Sequence, residues 1–201
     1  MREDQPSRLL AKLFEHVEPG ARLRVLDLGP ALPETVDFLG QYRCTLHIVG
    51  LQQETPPVID SELEEDERIA LWRAHFQKAL GLAETLKVDI ILFWDLLNFL
   101  SREAITALVE VLLLHLHAGT KAHCFAVHSV AAPPSEVFYG IRDADSFSVR
   151  PRFKQPADYQ PLSPGQHAAL LYCFETDRSV LMRDQRTELL LKAALEPLEA
   201  E

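Results

Sequence analysis

The stretch RVLDLGPALPETVDFL, residues 24–39, decides the fold class. It starts with an apolar run that carries one acidic side chain, Asp27, and such runs are typical of strands buried on both faces of a parallel sheet. Gly29 then permits a tight turn, and the following residues predict a helix with Val36 and Leu39 on its inner side. The stretch therefore predicts a strand, a sharp turn and a helix in immediate succession.

The same alternation of strands and helices continues along the chain. Further buried strands are predicted at CTLHIVGL (44–51), KVDIILFW (87–94) and KAHCFAVHSV (121–130). A helix is predicted from the N-cap Ser101 to a stop at Gly119. Strands that alternate with helices in this way predict a parallel sheet with helices on both faces.

One segment of this region fits two structures. RIALWRAHFQKAL (68–80) is compatible either with a short third strand near 69–72 or with a helix. The acidic, proline-containing residues 52–68 before and around its start predict an exposed loop or the polar start of a helix.

We predict a single domain over residues 1–201, in which residues 1–20 and 131–164 lie outside the alternation of strands and helices. Residues 1–20 have apolar side chains at helical spacing and predict an N-terminal helix that ends at Gly20. The tract 131–164 holds six of the 13 prolines and shows little periodicity. It is therefore predicted to be a long ordered loop or a lid.

The last part of the chain returns to regular structure. Ser163 and Pro164 are typical of the N-cap and first residue of a helix. The sequence RSVLMRDQRTELLLKA (178–193) predicts two strands joined by a tight turn at residues 184–185. An antiparallel hairpin that completes a parallel sheet is a specific architectural signal.

The composition indicates a globular domain with an acidic surface. The formal net charge of −10 argues against a nucleic-acid partner, because binding to phosphates requires a basic face. The N-terminus MREDQPSRLL lacks the apolar core of a signal peptide, and the longest apolar stretch is too short to cross a membrane. We therefore expect a cytoplasmic protein without a membrane partner. Cys44, Cys124 and Cys173 are predicted to be buried, reduced thiols.

The histidine and serine patterns predict neither a metal site nor a nucleophile. His115 and His117 lie two residues apart on a predicted helix and point to different faces, so they do not share a metal ion. The sequence has no Gly-x-Ser-x-Gly motif. His128, near the end of the fifth strand, faces the expected cleft and is either a candidate base toward a substrate or a hydrogen-bonded strand end.

With its elements in this order, the chain resembles the class I S-adenosylmethionine-dependent methyltransferases over about residues 23–193. VLDLG (25–29) is similar to the family's first motif, IVGL (48–51) to its second strand and VDIILFWDLLNFL (88–100) to its fourth-strand motif. The closing hairpin resembles the family's reversed last strand. The resemblance implies an α/β three-layer sandwich with a Rossmann-like, seven-stranded, mostly parallel sheet. It also implies that S-adenosylmethionine lies across the carboxyl ends of the first strands.

The resemblance implies a cofactor site at the ends of the first, second and fourth strands. Asp27 and Gly29 match positions that border the methionine part of the cofactor, and Asp95 matches a position near the cofactor or the methyl acceptor. The other expected cofactor-binding residues are Pro30, Leu51, Gln52 and Leu96. From the residues alone, Asp27 equally fits a strand end bonded to nearby amides, and Asp95 fits a helix cap or an ion pair.

Two departures from the family's pattern bear on this site. Residues 30–33 (PALP) stand where the family has further glycines, so their side chains take up space near the methionine moiety. Leu51 stands where the family has an acidic residue that binds the ribose hydroxyls, and it is followed by Gln52 and Gln53. A charge-assisted contact is roughly twice as strong as a neutral one. Glu54 replaces that acid only if the second strand ends later.

Two functional hypotheses follow. The first is a methyltransferase that transfers the methyl group of S-adenosylmethionine to an unidentified small-molecule or protein acceptor. Such transfer depends mainly on alignment of the acceptor with the methyl group, and Asp95 and His128 are the catalytic candidates. The second is a non-catalytic binding or scaffold protein, a pseudoenzyme, because fold alone does not establish chemistry. The sequence leaves the oligomeric state open.

Overall fold

The computed structural model describes residues 3–15, 17, 20–129, 131–152 and 159–195. The strands are β1 (Glu3–Pro6), β2 (Arg22–Asp27), β3 (Arg43–Ile48), β4 (Ile90–Trp94), β5 (Lys121–Val127), β6 (Val137–Asp143), β7 (Ser146–Pro151), β8 (Phe174–Leu181) and β9 (Arg186–Ala193). The helices are α1 (Leu10–Phe14), α2 (Pro33–Leu39), α3 (Glu65–Leu80), α4 (Arg102–Leu113) and α5 (Pro164–Leu170). Short 3-10 turns cover Leu51–Gln53 and Leu96–Phe99.

The main sheet has the strand order β3-β2-β4-β5-β9-β8. The first four strands in this order are parallel, whereas β9 runs antiparallel to β5 and to β8. Gln185 takes a left-handed conformation, with φ at 65°, in the turn between β8 and β9. The predicted mostly parallel sheet with a C-terminal antiparallel hairpin is therefore confirmed.

The predicted number of seven strands is wrong for the described part of the chain, because the main sheet there has six. The ambiguous segment 68–80 belongs to helix α3 and supplies no third strand. A capping box between Glu64 and Glu67 starts this helix, and Gly81, with φ at 55°, ends it. Local capping thus selects the helix over the strand, and β3 remains at the edge of the sheet.

A second, three-stranded sheet has the order β1-β7-β6 and corrects two predictions. The tract 131–164, predicted as a loop or lid, contains the hairpin of β6 and β7, although its residues 153–158 lie outside the described part. The N-terminal 1–20 segment begins with β1, which pairs with β7, and its helix α1 covers only Leu10–Phe14. The prolines of the tract flank these strands instead of interrupting them, since Pro151 is the last residue of β7.

Apolar cores lie on both faces of the main sheet. Helices α3, α4 and α5 cover one core, whereas α1, α2 and the small sheet cover the other. The burial of Leu39 is as predicted, but Val36 on the same helix is 45% exposed. Helix α4 ends at Leu113, well before Gly119. No helix in the described ranges has the length and apolar composition that a membrane span requires.

Candidate functional site

Asp27, the last residue of β2, is bonded inside the protein. Its Oδ1 accepts hydrogen bonds from the Gly29 backbone N–H at 2.9 Å and from Trp94 Nε1 at 2.7 Å. The residue is only 1% exposed, and this burial raises the pKa of its carboxyl to about 6 even though both hydrogen bonds favour the charged form. The carboxyl therefore acts first as a structural acceptor for its own strand end.

Gly29 is in close contact with the Trp94 indole. A Cβ added at Gly29 would lie 2.6 Å from Trp94 Cδ1 and 2.8 Å from Trp94 Nε1, closer than such atoms can approach. Trp94 ends β4 with a left-handed backbone, φ at 54°, where the pairing of β4 with β5 shifts register. This irregularity directs the indole toward Gly29. The glycine thus accommodates a tryptophan ring in the described structure.

Asp95 forms a buried ion pair, one of the two alternatives that the sequence left open for it, with a partner that the sequence did not identify. Arg152 Nη2 donates to Asp95 Oδ1 and Oδ2, both at 3.0 Å, and the two side chains are 1% and 5% exposed. The guanidinium lies over the rings of Phe99 and Phe138, 4.7 and 4.8 Å from their centres. Burial raises the pKa of Asp95, and the positive charge of Arg152 opposes this change.

Gln52 joins this cluster from the other side of β2. Its Nε2 donates to Asp95 Oδ1 at 3.1 Å. Because β2 lies between β3 and β4 in the sheet, a contact between the residues that follow β3 and β4 crosses above the end of β2. The Leu51 N–H also donates to the Leu28 carbonyl at 3.2 Å. Protein atoms therefore bridge the place where the resemblance puts a cofactor.

The predicted site residues fall into three groups. Asp27 and Gly29 meet at Trp94, whereas Gln52 and Arg152 both bond to Asp95. The others do not join these clusters through described hydrogen bonds: Leu51 and Leu96 are buried in the core on the α3 side, Pro30 is half-buried and His128 is exposed. The backbone N–H of His128 donates to the Gln185 carbonyl at 3.0 Å. In the structure Asp27 accepts a hydrogen bond from a nearby backbone amide, and Asp95 forms an ion pair with Arg152.

Arg152 is the site residue that sequence reasoning missed. It directly follows β7 in the tract taken for a loop, 57 positions after its partner. Its only signal in the sequence was indirect, since a carboxylate buried at a strand end needs a cation. Three guanidinium nitrogens near this cluster, Arg152 Nε and Nη1 and Arg186 Nη1, are buried without an acceptor in the described structure.

Other titratable groups are buried away from this edge of the sheet. His123 Nε2 lies 3.2 Å from Glu188 Oε1, which also accepts a hydrogen bond from Ser7. Cys124 and Cys173 are buried as predicted, and burial raises the pKa of the Cys173 thiol to about 11, whereas Cys44 is half-exposed. Among the described residues, no group of three or more His, Cys, Asp or Glu side chains is arranged to hold a metal ion.

The sequence matches no protein family and no curated protein, but solved structures share its fold. The 1,6-didemethyltoxoflavin-N1-methyltransferase of Burkholderia thailandensis, solved with S-adenosylhomocysteine, matches with a TM-score of 0.51 at 16% identity, over 92% of this chain and 77% of that one. The CcbJ methyltransferase of Streptomyces caelestis matches with a TM-score of 0.50 at 14% identity, over 92% and 94%.

The length of the matched proteins varies. The pyocyanin biosynthetic protein PhzM matches over 92% of this chain at 10% identity and a TM-score of 0.47, and the chain spans only 54% of that protein. At 16% and 14% identity, the likenesses to the Burkholderia and Streptomyces structures establish the fold alone. The chain has the fold of the S-adenosylmethionine-dependent methyltransferases.

Proposed function

We propose that this chain is a non-catalytic protein of methyltransferase fold that acts as a binding or scaffold module. The observation that carries the proposal is the Gln52–Asp95 hydrogen bond, which crosses the carboxyl end of β2. In open parallel sheets this end is where ligands bind. Here the side chains that would contact a nucleotide-like ligand contact one another.

The hydrogen bonds above the carboxyl end of β2 oppose entry of a cofactor. A ligand that separates Gln52 from Asp95 must replace a partly buried hydrogen bond to a carboxyl group that is paired with Arg152, and hydrogen bonds to charged groups are worth about 1.5–3 kcal/mol. Without replacement, the apparent affinity falls by roughly tenfold to a hundredfold. Leu51 offers no carboxylate for ribose hydroxyls, and the Trp94 ring lies against Gly29. Each feature lowers the affinity for an adenosyl ligand.

The second candidate is a methyltransferase that uses S-adenosylmethionine and transfers its methyl group to a small-molecule or protein acceptor. It is favoured by the strand order and by the position of Asp27 and Gly29 at the end of β2. The Burkholderia structure of the same fold contains S-adenosylhomocysteine. In this case Gln52 and Asp95 separate before the cofactor binds, and Asp95 and His128 stay the catalytic candidates.

Titration with S-adenosylmethionine and S-adenosylhomocysteine distinguishes the two candidates. We expect no binding heat by calorimetry and no rise in melting temperature at about 1 mM ligand, because a ligand that binds only the native state must stabilise it. Saturable binding of S-adenosylhomocysteine with a Kd below about 100 μM would overturn the non-catalytic proposal in favour of the methyltransferase.

A matched pair of variants tests the cause of exclusion. Gln52→Ala removes the bridge to Asp95, whereas Gln53→Ala removes an exposed neighbour that makes no such bond. If the bridge alone keeps the cofactor out, only Gln52→Ala gains binding of S-adenosylhomocysteine. If the Trp94 contact and the missing ribose acid also contribute, neither variant gains it.

A further inference from the structure

The edge strand β3 has unused backbone hydrogen-bonding groups. Among the described residues it pairs only with β2, and it ends the main sheet. The Val49 N–H donates to the Asp27 carbonyl at 2.7 Å, which sets the phase of this parallel ladder. The backbone groups of alternate residues point to the partner strand. The N–H and C=O groups of Thr45 and His47 therefore also point toward β2. Leu46 and Ile48 therefore direct their N–H and C=O groups outward.

One face of this edge is basic. Arg22 and Arg43 are register partners, and Arg24 is paired with Thr45, so the three arginines lie on the same face of β2 and β3. All three are exposed, and none forms a salt bridge with any described residue. The Asp89 carboxylate accepts a hydrogen bond from the Arg24 backbone N–H at 2.7 Å, so in a chain with a net charge of −10 this face keeps an excess of positive charge at Arg22 and Arg43.

The other face of the same edge is apolar. Cys44 and Leu46 are half-buried and pack against the core beneath α1 and α2. A strand laid alongside β3 would therefore meet apolar side chains on one face and arginines on the other. Side chains alternate between the two faces of a strand, so the complementary strand has alternating apolar and acidic residues.

We propose that the β3 edge binds an extended segment of a partner protein in which acidic and apolar residues alternate. The segment would add a seventh strand through main-chain hydrogen bonds to Leu46 and Ile48, with its acidic residues beside Arg43 and within reach of the Arg22 side chain one strand further in. The β3 strand, RCTLHI, contains arginine and no acidic residue. Charge complementarity therefore favours an acidic partner over a second copy of β3.

This inference rests on the proposed function as a binding module and names the class of its partner. The two proposals can be tested independently. It depends on the edge of β3, whereas the non-catalytic assignment depends on the contacts above β2. Binding of S-adenosylhomocysteine would overturn the assignment and leave the edge unaffected. Loss of peptide binding at the edge would overturn the inference and leave the cofactor titration unchanged.

The probe is a short synthetic peptide of alternating Glu and Val, compared with one of alternating Lys and Val. We expect the Glu peptide to bind about tenfold more tightly by fluorescence anisotropy, since each exposed ion pair adds a modest gain. Hydrogen exchange followed by NMR should show new protection at the amides of Leu46 and Ile48. The amides of Thr45 and His47, already bonded to β2, should change little.

Charge-reversal variants provide the control. Arg22→Glu combined with Arg43→Glu should invert the preference toward the Lys peptide, whereas Arg183→Glu, at an exposed position between β8 and β9, should leave it unchanged. Circular dichroism verifies that each variant is folded. The proposal is wrong if the Glu peptide does not bind at about 1 mM, or if its binding does not protect Leu46 and Ile48. Sedimentation that shows a dimer with these two amides protected would assign the edge to a second copy instead.

Discussion

The carboxyl end of β2 and the free edge of β3 lie next to each other, and they differ in how their polar groups are bonded. Above β2, the carboxylates of Asp27 and Asp95 have partners inside the protein, from Trp94, Gln52 and Arg152. Along β3, the outward backbone groups of Leu46 and Ile48 have no described partner, and the guanidinium groups of the nearby arginines form no salt bridge with a described residue. At the position where this fold usually binds a ligand, the polar side chains are therefore bonded to other protein groups. The polar groups without a described partner lie one strand away, along β3.

Of the substitutions considered, removal of the Arg152 side chain should lower the free energy of unfolding most. Arg152→Ala leaves the Asp95 carboxylate buried without a cation and should lower the free energy of unfolding by about 3–5 kcal/mol, measured by urea denaturation. Adding Asp95→Asn to this variant should recover part of the loss, because no buried charge is then uncompensated. Arg178→Ala, which removes an exposed pair with Asp177, should cost less than about 1 kcal/mol. A loss below that level for Arg152→Ala would contradict the buried pair.

The pH dependence of stability should show the cost of burying Asp27. Its folded pKa of about 6 exceeds the value of 3.8 for a free carboxyl, so the folded protein binds this proton more tightly than the unfolded chain. The contribution is present in full below about pH 4 and is lost as the pH rises through about 6. Relative to Asp27→Asn, the wild type should lose about 2 kcal/mol between about pH 4 and 7. A constant difference between the two proteins would refute the raised pKa.

Adding a methyl group at Gly29 tests whether this glycine is required for close packing against Trp94, as distinct from the effect of a glycine on backbone flexibility. Gly29→Ala places a Cβ against the Trp94 ring and should destabilise the protein by about 1–3 kcal/mol in thermal or urea unfolding. Gly165→Ala is the control, because an added Cβ in α5 meets no atom within 4 Å and should stabilise by about 0.5–1 kcal/mol. Equal effects at both positions would mean that the indole is displaced at little cost.

Truncation of an apolar side chain should destabilise the protein less on the edge strand β3 than on the central strand β4. Leu46→Ala on β3 removes a half-exposed side chain and should cost about 1 kcal/mol. Leu92→Ala on β4 removes a side chain that is 0% exposed and should cost about 2–5 kcal/mol. Urea denaturation of the two variants measures the ratio. Comparable losses would indicate that the β3 edge is already covered.

The sequence was sufficient for the central strands and the final hairpin, because their apolar runs and turn residues are local signals. It was insufficient for β1, whose residues around Asp4 pair with Ser148 far along the chain. Long-range pairing of short strands has no local signature. The same limit applies to the site: Asp27 and Asp95 were identified, but their internal partners Trp94 and Arg152 reach them only in the folded chain.

Because Trp94 donates a hydrogen bond to Asp27, its intrinsic fluorescence should depend on the ionisation of Asp27. An indole that donates to a carboxyl experiences a different local field when that carboxyl loses its proton, and here the loss is centred near pH 6. Trp72, stacked on Phe76 of helix α3, emits from a separate environment and supplies a reference. The part of the pH-dependent fluorescence that Asp27→Asn abolishes should therefore follow the ionisation of this interior acid without any attached dye.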